Sequence, residues 1–249
     1  MENIQLAKKI RRRILKASFS ANACHIGSAL SCVEILIAIF EAMKPEDVFL
    51  FSKASGASAL YSIFAEQGYF PEKDVAGYLK SYPLPHKEVP GVIHSVGSIG
   101  HGLSVSVGLA LGDRNRKVYC LMSDGEMDEG STWEAILFAA HHKLNNLVVV
   151  VDYNKHQAFG RTNDVLNLER LDEKWESFNW NVIELDGHHL TKLEYYLDSD
   201  FEWEFLKPIC IIANTIKGKG VSFMEDKTEW HYKNLTKELY EKSIRQITT

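Results

Sequence analysis

The chain has 249 residues, 45% of them hydrophobic, enough to bury one large core, and a formal net charge of -5. That balance offers no basic surface for nucleic acid, no stretch reaches the roughly 20 apolar residues of a membrane span, and the charged amino terminus lacks the apolar segment of a signal peptide. The expectation is a single domain over residues 1–249, cytoplasmic, with neither nucleic acid nor membrane among its partners.

In chain order, an amphipathic helix opens the sequence over about residues 3 to 19, where Ile4, Ala7, Ile10, Ile14 and Ala17 recur at helical spacing. The basic run Lys8-Lys9-Ile10-Arg11-Arg12-Arg13 lies in this segment and reads as a solvated face rather than a phosphate-binding arm. A loop, Ala21 to Ser28, precedes a helix from Ser31 to Met43. Lys117 to Met122 reads as a buried strand, Gly130 to Lys143 as a helix, and Leu147 to Asp152, with four consecutive valines, as a second buried strand. Strands at Asn181 to Leu185 and Ile209 to Asn214, with helices between, complete the alternation. Strand, crossover helix, strand implies an α/β fold with a parallel sheet and helices on both faces. Cys24, Cys32, Cys120 and Cys210 show no paired metal-ligand spacing and read as reduced residues, mostly packing.

In parallel sheets ligands collect at the carboxyl ends of the strands. Two polar clusters stand there: Ser123-Asp124-Gly125-Glu126 after the first strand, and Asp152-Tyr153-Asn154-Lys155-His156 after the second. Asp124 and Asn154 can therefore converge as one carboxylate and one amide oxygen. Magnesium takes six oxygens at about 2.0–2.1 Å, and in phosphate sites only one or two come from carboxylates. A neutral amide adds an oxygen without repelling an anionic phosphate. Gly125 lets the backbone approach phosphates, and the helix that starts near Gly130 can aim its amino-terminal dipole at them. Taken alone, either cluster is as well read as a turn or a cap.

The run from Ser123-Asp124-Gly125-Glu126 through Asn145-Asn146 to Asp152-Tyr153-Asn154 resembles the thiamine diphosphate signature. Asp124-Gly125-Glu126-Met127-Asp128-Glu129-Gly130-Ser131-Thr132-Trp133-Glu134-Ala135 resembles more narrowly the amino-terminal half of transketolase. So do Asp152-Tyr153-Asn154-Lys155, Gly160-Arg161-Thr162 and Asp186-Gly187-His188, and the likeness runs from the His25 loop to Trp230-His231. The resemblance implies thiamine diphosphate and Mg2+, with Ca2+ or Mn2+ able to stand in its place. It makes Asp124 and Asn154 side-chain metal ligands and the His156 carbonyl a main-chain ligand. It places Gly125 and Glu126 against the diphosphate through backbone amides, and Gly97, Ser98 and Ile99 against the aminopyrimidine. It also casts His25, His86 and His231 as the catalytic histidines, His231 reaching the diphosphate as well, and puts Glu129 near a subunit contact. His141-His142 and His188-His189 are left as structural pairs.

The chain departs from the family at Ser52-Lys53-Ala54-Ser55, where transketolases usually read Ser-Lys-Gly-His, and at Tyr232, where relatives commonly have glycine. A serine has no charge and a shorter reach than histidine. The expectation is a changed acceptor pocket, and a two-carbon unit moved onto an acceptor other than the pentose phosphates, a modified or nucleotide-linked sugar. The family also draws a glutamate from a second, pyrimidine-binding domain, for which this chain has no candidate before Thr249. That domain is expected on a separate chain, in a heterotetramer of two and two. Two other readings stand beside this one. An alpha-type subunit of a thiamine diphosphate 2-oxo-acid decarboxylase or dehydrogenase keeps the cofactor, but the Glu129 to Ala135 block and Trp230-His231 favour transketolase. A non-catalytic regulatory relative is suggested by Ser55 and opposed by the retained Asp124, Asn154, His25 and His231.

Overall fold

The computed structural model describes residues 2–198, 203 and 206–248. Helices α1 (Glu2–Ala21), α2 (Ile26–Ser31) and α3 (Val33–Ala42) lead to strand β1 (Val48–Phe51), followed by α4 (Ala57–Glu66), α5 (Val75–Ser81) and α6 (Gly102–Gly112). Strand β2 (Val118–Ser123), α7 (Gly130–His141) and β3 (Leu147–Tyr153) form the expected strand, helix, strand unit. Then come α8 (Thr162–Val165), α9 (Leu171–Ser177), β4 (Asn181–Asp186), α10 (Leu190–Leu197), β5 (Ile209–Asn214) and α11 (Lys237–Thr248).

The five strands run β1-β2-β3-β5-β4, all parallel. Successive side chains of a strand point to opposite faces, and both faces here are covered. Tyr119, Leu121, Val148, Val150 and Ile211 join Ile10, Ile14, Ile35 and Tyr61 from α1, α3 and α4 in one core. Cys120, Met122, Val149, Val151 and Ile212 join Leu103, Ile136 and Trp175 from α6, α7 and α9 in the other. The α/β sandwich is thus the one expected. Strand β1 went unread because its four residues are too short for a period to show.

Two local expectations are corrected. The helix expected from Ser31 begins earlier: α2 starts at Ile26 and α3 follows a break at Cys32 (φ -97°, ψ 15°), so His25 stands immediately before a helix instead of inside a loop. The basic run is not a solvated face throughout, because Arg11 and Arg13 are both 6% exposed. Arg11 is clamped onto Glu34, while Arg13 bridges Glu66 and Glu72 and also donates to the Ser62 carbonyl. All four cysteines are free, and Cys32, Cys120 and Cys210 are buried in the packing as expected.

Candidate active site

Strands β2 and β3 end side by side, with Ser123 in register with Asp152. The chain then turns at Asp124 on one strand and at Asn154 on the other. Asp124 Oδ2 accepts the Lys155 main-chain N–H at 2.8 Å and the Thr162 hydroxyl at 2.9 Å, which ties the first turn directly to the second. Its Oδ1 accepts from Gly125 N at 3.0 Å. Asn154 Oδ1 accepts from His156 N at 3.1 Å, and Lys155 between them takes a left-handed φ of 64°. The His156 ring is held by Thr228 Oγ1 at 2.8 Å and Asp226 Oδ1 at 2.7 Å. Asp124 is buried, and burial, reinforced by the nearby Asp152, raises its carboxyl to about 6.

Two buried lysines that the sequence reading did not single out stand against this turn. Lys53, 1% exposed, lies 3.2 Å from Asp152 Oδ2, which also accepts from Ser31 Oγ at 2.6 Å, while Asp152 Oδ1 accepts from Thr215 Oγ1. Burial works against the Lys53 charge, but Asp152, the Cys32 thiol and Asp124 together hold it above its ordinary value. Lys217, also 1% exposed, lies 3.3 Å from Ser28 Oγ and 3.3 Å from His231 Nδ1. Its burial, with Lys53 adding, lowers it to about 8. Gly27 makes room for this arrangement: a Cβ there would stand 3.2 Å from Lys217 Cγ and 3.3 Å from Trp230 Cβ. Lys217 follows the end of β5 in Lys217-Gly218-Lys219-Gly220, a position the strand-end rule could have flagged.

His25 and His231 meet edge to face, ring centroids 4.9 Å apart, and His25 N donates to the His231 carbonyl at 2.9 Å. His25 holds a left-handed backbone (φ 64°, ψ 19°), uncommon for a residue with a side chain and often found at functional sites. Burial first, then the charges of Lys217 and Lys53, lower His25 to about 4. Burial, Lys217, His25 and Lys53 lower His231 to about 3. Both imidazoles are therefore neutral at physiological pH.

A cleft of about 600 Å³ opens beside these groups. Of the residues expected at the site, His25, Gly97, Ser98, Ile99, Asp124, Gly125, Asn154, His156 and His231 line it, as do Lys53 and Ser55. His86 does not: its ring stacks on Tyr82 with centroids 4.6 Å apart, and its Nδ1 accepts from Glu88 N. Glu126 does not line it either. Its buried carboxylate accepts from Ser52 Oγ, from Ser123 N at 2.8 Å and Ser123 Oγ at 3.2 Å, and from the Gly100 main chain. That carboxylate staples the end of β1, the end of β2 and the glycine loop into one unit. Gly100 has φ 81°, and a Cβ there would sit 2.5 Å from Glu129 Cβ. The amino terminus of α7 stands at Gly130, as expected; a 3-10 turn, Asp124–Asp128, separates it from the end of β2, and Ser131 Oγ donates to the Gly100 carbonyl.

Residues 3–247 match the family described as transketolase, thiamine diphosphate binding domain. An apulose-4-phosphate transketolase subunit from Actinobacillus succinogenes is 41% identical over 248 residues, covering 91% of this chain and 89% of that protein. A 6-deoxy-6-sulfo-D-fructose transketolase subunit from a Clostridium species is 34% identical, covering 97% and 94%. Among solved structures, the transketolase of Campylobacter jejuni superposes with a TM-score of 0.89 at 24% identity, covering all of this chain but 43% of that one. With the fold, the strand-end turns and the sequence match in agreement, this chain belongs to the transketolase thiamine diphosphate binding domain family.

Proposed function

We propose that this chain, as one domain over residues 1–249, is the diphosphate-binding subunit of a two-chain transketolase that passes a two-carbon unit between sugars, at least one of them not a standard pentose phosphate. The observation that carries this reading is the convergence of Asp124, Asn154, Lys53, His25 and His231 in a single cleft at the ends of β2 and β3. The names of its relatives, subunits acting on apulose 4-phosphate or 6-deoxy-6-sulfofructose, support a non-standard sugar. So does Ser55, a short neutral side chain in the cleft where the family has histidine.

The residues fit the expected metal and cofactor. Burial and Asp152 leave the Asp124 carboxylate short of compensating charge, which a divalent cation supplies. Among the described residues, no three His, Cys, Asp or Glu side chains form a metal cluster. That suits magnesium completed by phosphate oxygens and water rather than a cage made wholly of protein. Asp124, Asn154 and the His156 carbonyl would hold Mg2+, or Ca2+ or Mn2+ in its place. A Cβ at Gly125 would meet only the Gln157 side chain, at ordinary distances of 3.5 Å and more. Glycine is therefore not demanded by internal packing there, and the space it leaves opens to the cleft, where a diphosphate would approach. Lys53 and Lys217 would balance that diphosphate's charge, a neutral His231 could give it a hydrogen bond, and Gly97, Ser98 and Ile99 would border the aminopyrimidine.

When bound, thiamine diphosphate supplies the nucleophilic carbon and the electron sink for ketol transfer. The chain's own residues bind, orient and hold protons. The Lys217 ammonium can only donate, so Nδ1 of His231 accepts and Nε2 carries the N–H. A neutral His231 can then donate to a substrate oxygen, and a neutral His25 can either give or take a hydrogen bond. Exposed Ile99, Phe159 and Tyr232 at the cleft mouth support closure by a pyrimidine-binding partner chain, in a two-plus-two assembly. Among the described residues no helix is long and apolar enough to cross a membrane.

Native co-purification from the source cells, with measurement of bound thiamine diphosphate and magnesium, tests this directly. A stoichiometric pyrimidine-domain partner, and a complex that consumes ketose phosphates, is the expected result. A solitary chain that stays empty in excess cofactor, or a complex that turns over only 2-oxo acids, overturns it.

A further inference from the structure

Three side chains from separate elements, Arg11 and Glu34 buried and His188 partly so, form a chain near the ends of β4 and β5. Arg11 on α1 donates Nη1 and Nη2 to the two oxygens of Glu34 on α3, at 2.7 Å each. Glu34 Oε2 meets Nδ1 of His188, in the turn after β4, at 3.1 Å. The other ring nitrogen, Nε2, lies 2.9 Å from the main-chain N–H of Ile216. A backbone N–H can only donate, so Nε2 accepts and Nδ1 carries the proton that goes to Glu34. Arg11 also gives its Nε–H to the Lys219 carbonyl at 3.0 Å.

Ile216 and Lys219 flank Lys217. The network therefore grips the loop at two points around the buried lysine, and Gly218 N donating to the Gly27 carbonyl at 2.9 Å adds a third. None of Arg11, Glu34 or His188 lines the cleft. A buried ion pair is weak support for stability, since well-packed apolar residues often serve as well. What this one does that apolar residues could not is fix two main-chain atoms of one loop at hydrogen-bond distance.

We infer that Arg11, Glu34 and His188 are positioning residues of the active site, which set where the Lys217 ammonium stands and thereby which nitrogen of His231 carries its proton. The inference rests on the transketolase reading only for its bearing on catalysis; the coupling itself can be measured in the chain alone.

Two substitutions separate positioning from packing. In His188→Gln the side-chain carbonyl can reach the place of Nε2 and still accept from Ile216 N. His188→Asn matches only the Nδ1 side and loses that acceptor. Imidazole nitrogen NMR of the full chain at pH 7, with His231 assigned through His231→Gln, reports the tautomer. His231 should appear as a single neutral form with its proton on Nε2 in the wild type and in His188→Gln. In His188→Asn it should become an exchanging mixture of the two neutral tautomers. In the enzyme assembled with its partner, His188→Asn should lower kcat about tenfold with KM changed less than about twofold. An unchanged His231 spectrum in His188→Asn overturns the inference, as does equal disturbance in both variants. A changed spectrum without ketol transfer by the wild-type complex sinks the functional reading and leaves the coupling standing. Should His188→Asn fail to fold, Arg11→Lys, which keeps a cation at Glu34 but loses the Nε–H to Lys219, is read the same way.

Discussion

Asn146 and Asn154 sit just beyond opposite ends of β3, and both fall within the stretch that resembles the cofactor signature. At the amino end, Asn146 Nδ2 lies 3.0 Å from each of the carbonyls of Ala110, Asp113 and Arg116, knitting the end of α6 to the start of β2. At the carboxyl end, Asn154 takes one hydrogen bond from His156 N and faces an open cleft beside Asp124. The same residue type is a staple where chain ends bring carbonyls to it, and a candidate ligand where they do not. Membership of a motif thus leaves the role open, and the supply of internal partners decides it.

The largest effect that could break this contrast is expected at Asp124. Asp124→Ala, or removal of divalent metal by a chelator, should lower turnover of the assembled enzyme about 1,000-fold or more, and added Mg2+ should rescue only the chelated wild type. Turnover surviving in Asp124→Ala would erase the functional character of the carboxyl end.

His231→Gln should cost about 100-fold in kcat/KM, or about 2.7 kcal/mol, in steady-state assays. The same variant bears on pH. The folded chain holds His231 at about 3, far below the ordinary 6.5. As pH falls below 6.5 the unfolded chain takes up a proton that the folded one refuses, so this residue's contribution to stability declines towards acid. His25, held at about 4, acts in the same direction. Urea midpoints at pH 7 and pH 5 should therefore lie closer together in His231→Gln than in the wild type. Equal spacing would mean that the histidine is not kept neutral by its surroundings.

At the opposite end, Asn146→Ala should remove about 2 kcal/mol of stability through the loss of the two amide hydrogens shared among three carbonyls, with kcat per folded enzyme unchanged. A fall in cofactor affinity there would collapse the distinction between the two ends. The smallest effect concerns the acceptor: Ser55→His should shift the preference toward ordinary aldopentose phosphates by roughly tenfold, read as a ratio of kcat/KM values. No shift would move the origin of specificity to Tyr232 or to the partner.

Much of this molecule was legible from its sequence. The valine-rich β3 and the apolar β2 read as buried parallel strands, and the rule that ligands gather where such strands end led to Asp124, Asn154 and the turns around them. The buried lysines were not legible, because a lysine in a loop of small and polar residues reads as solvated until the fold closes over it. Nothing local tells Lys217, 1% exposed, from its neighbour Lys219, whose side chain borders another surface cavity. Arg11 and Arg13 read as solvated for the same reason, since their partners Glu34 and Glu66 lie far along the chain. His86 is cast as catalytic by resemblance alone, and its stacking on Tyr82 outside the cleft depends on a loop path that no spacing rule fixes. Glu126 was placed through its backbone, and the work of its carboxylate depends on Ser52 and Gly100, which no spacing rule connects to it.

The Glu126 staple has a mechanical consequence. Because one buried carboxylate holds the ends of β1 and β2 and the loop that carries Ile99, displacing any one of these pieces has to stretch or break a buried hydrogen bond. A protein docking on Ile99 at the rim would then be coupled through this staple to the turn that carries Asp124. Any free energy with which such docking sharpens the grip on metal must return, in equal measure, as tighter docking when the metal is present.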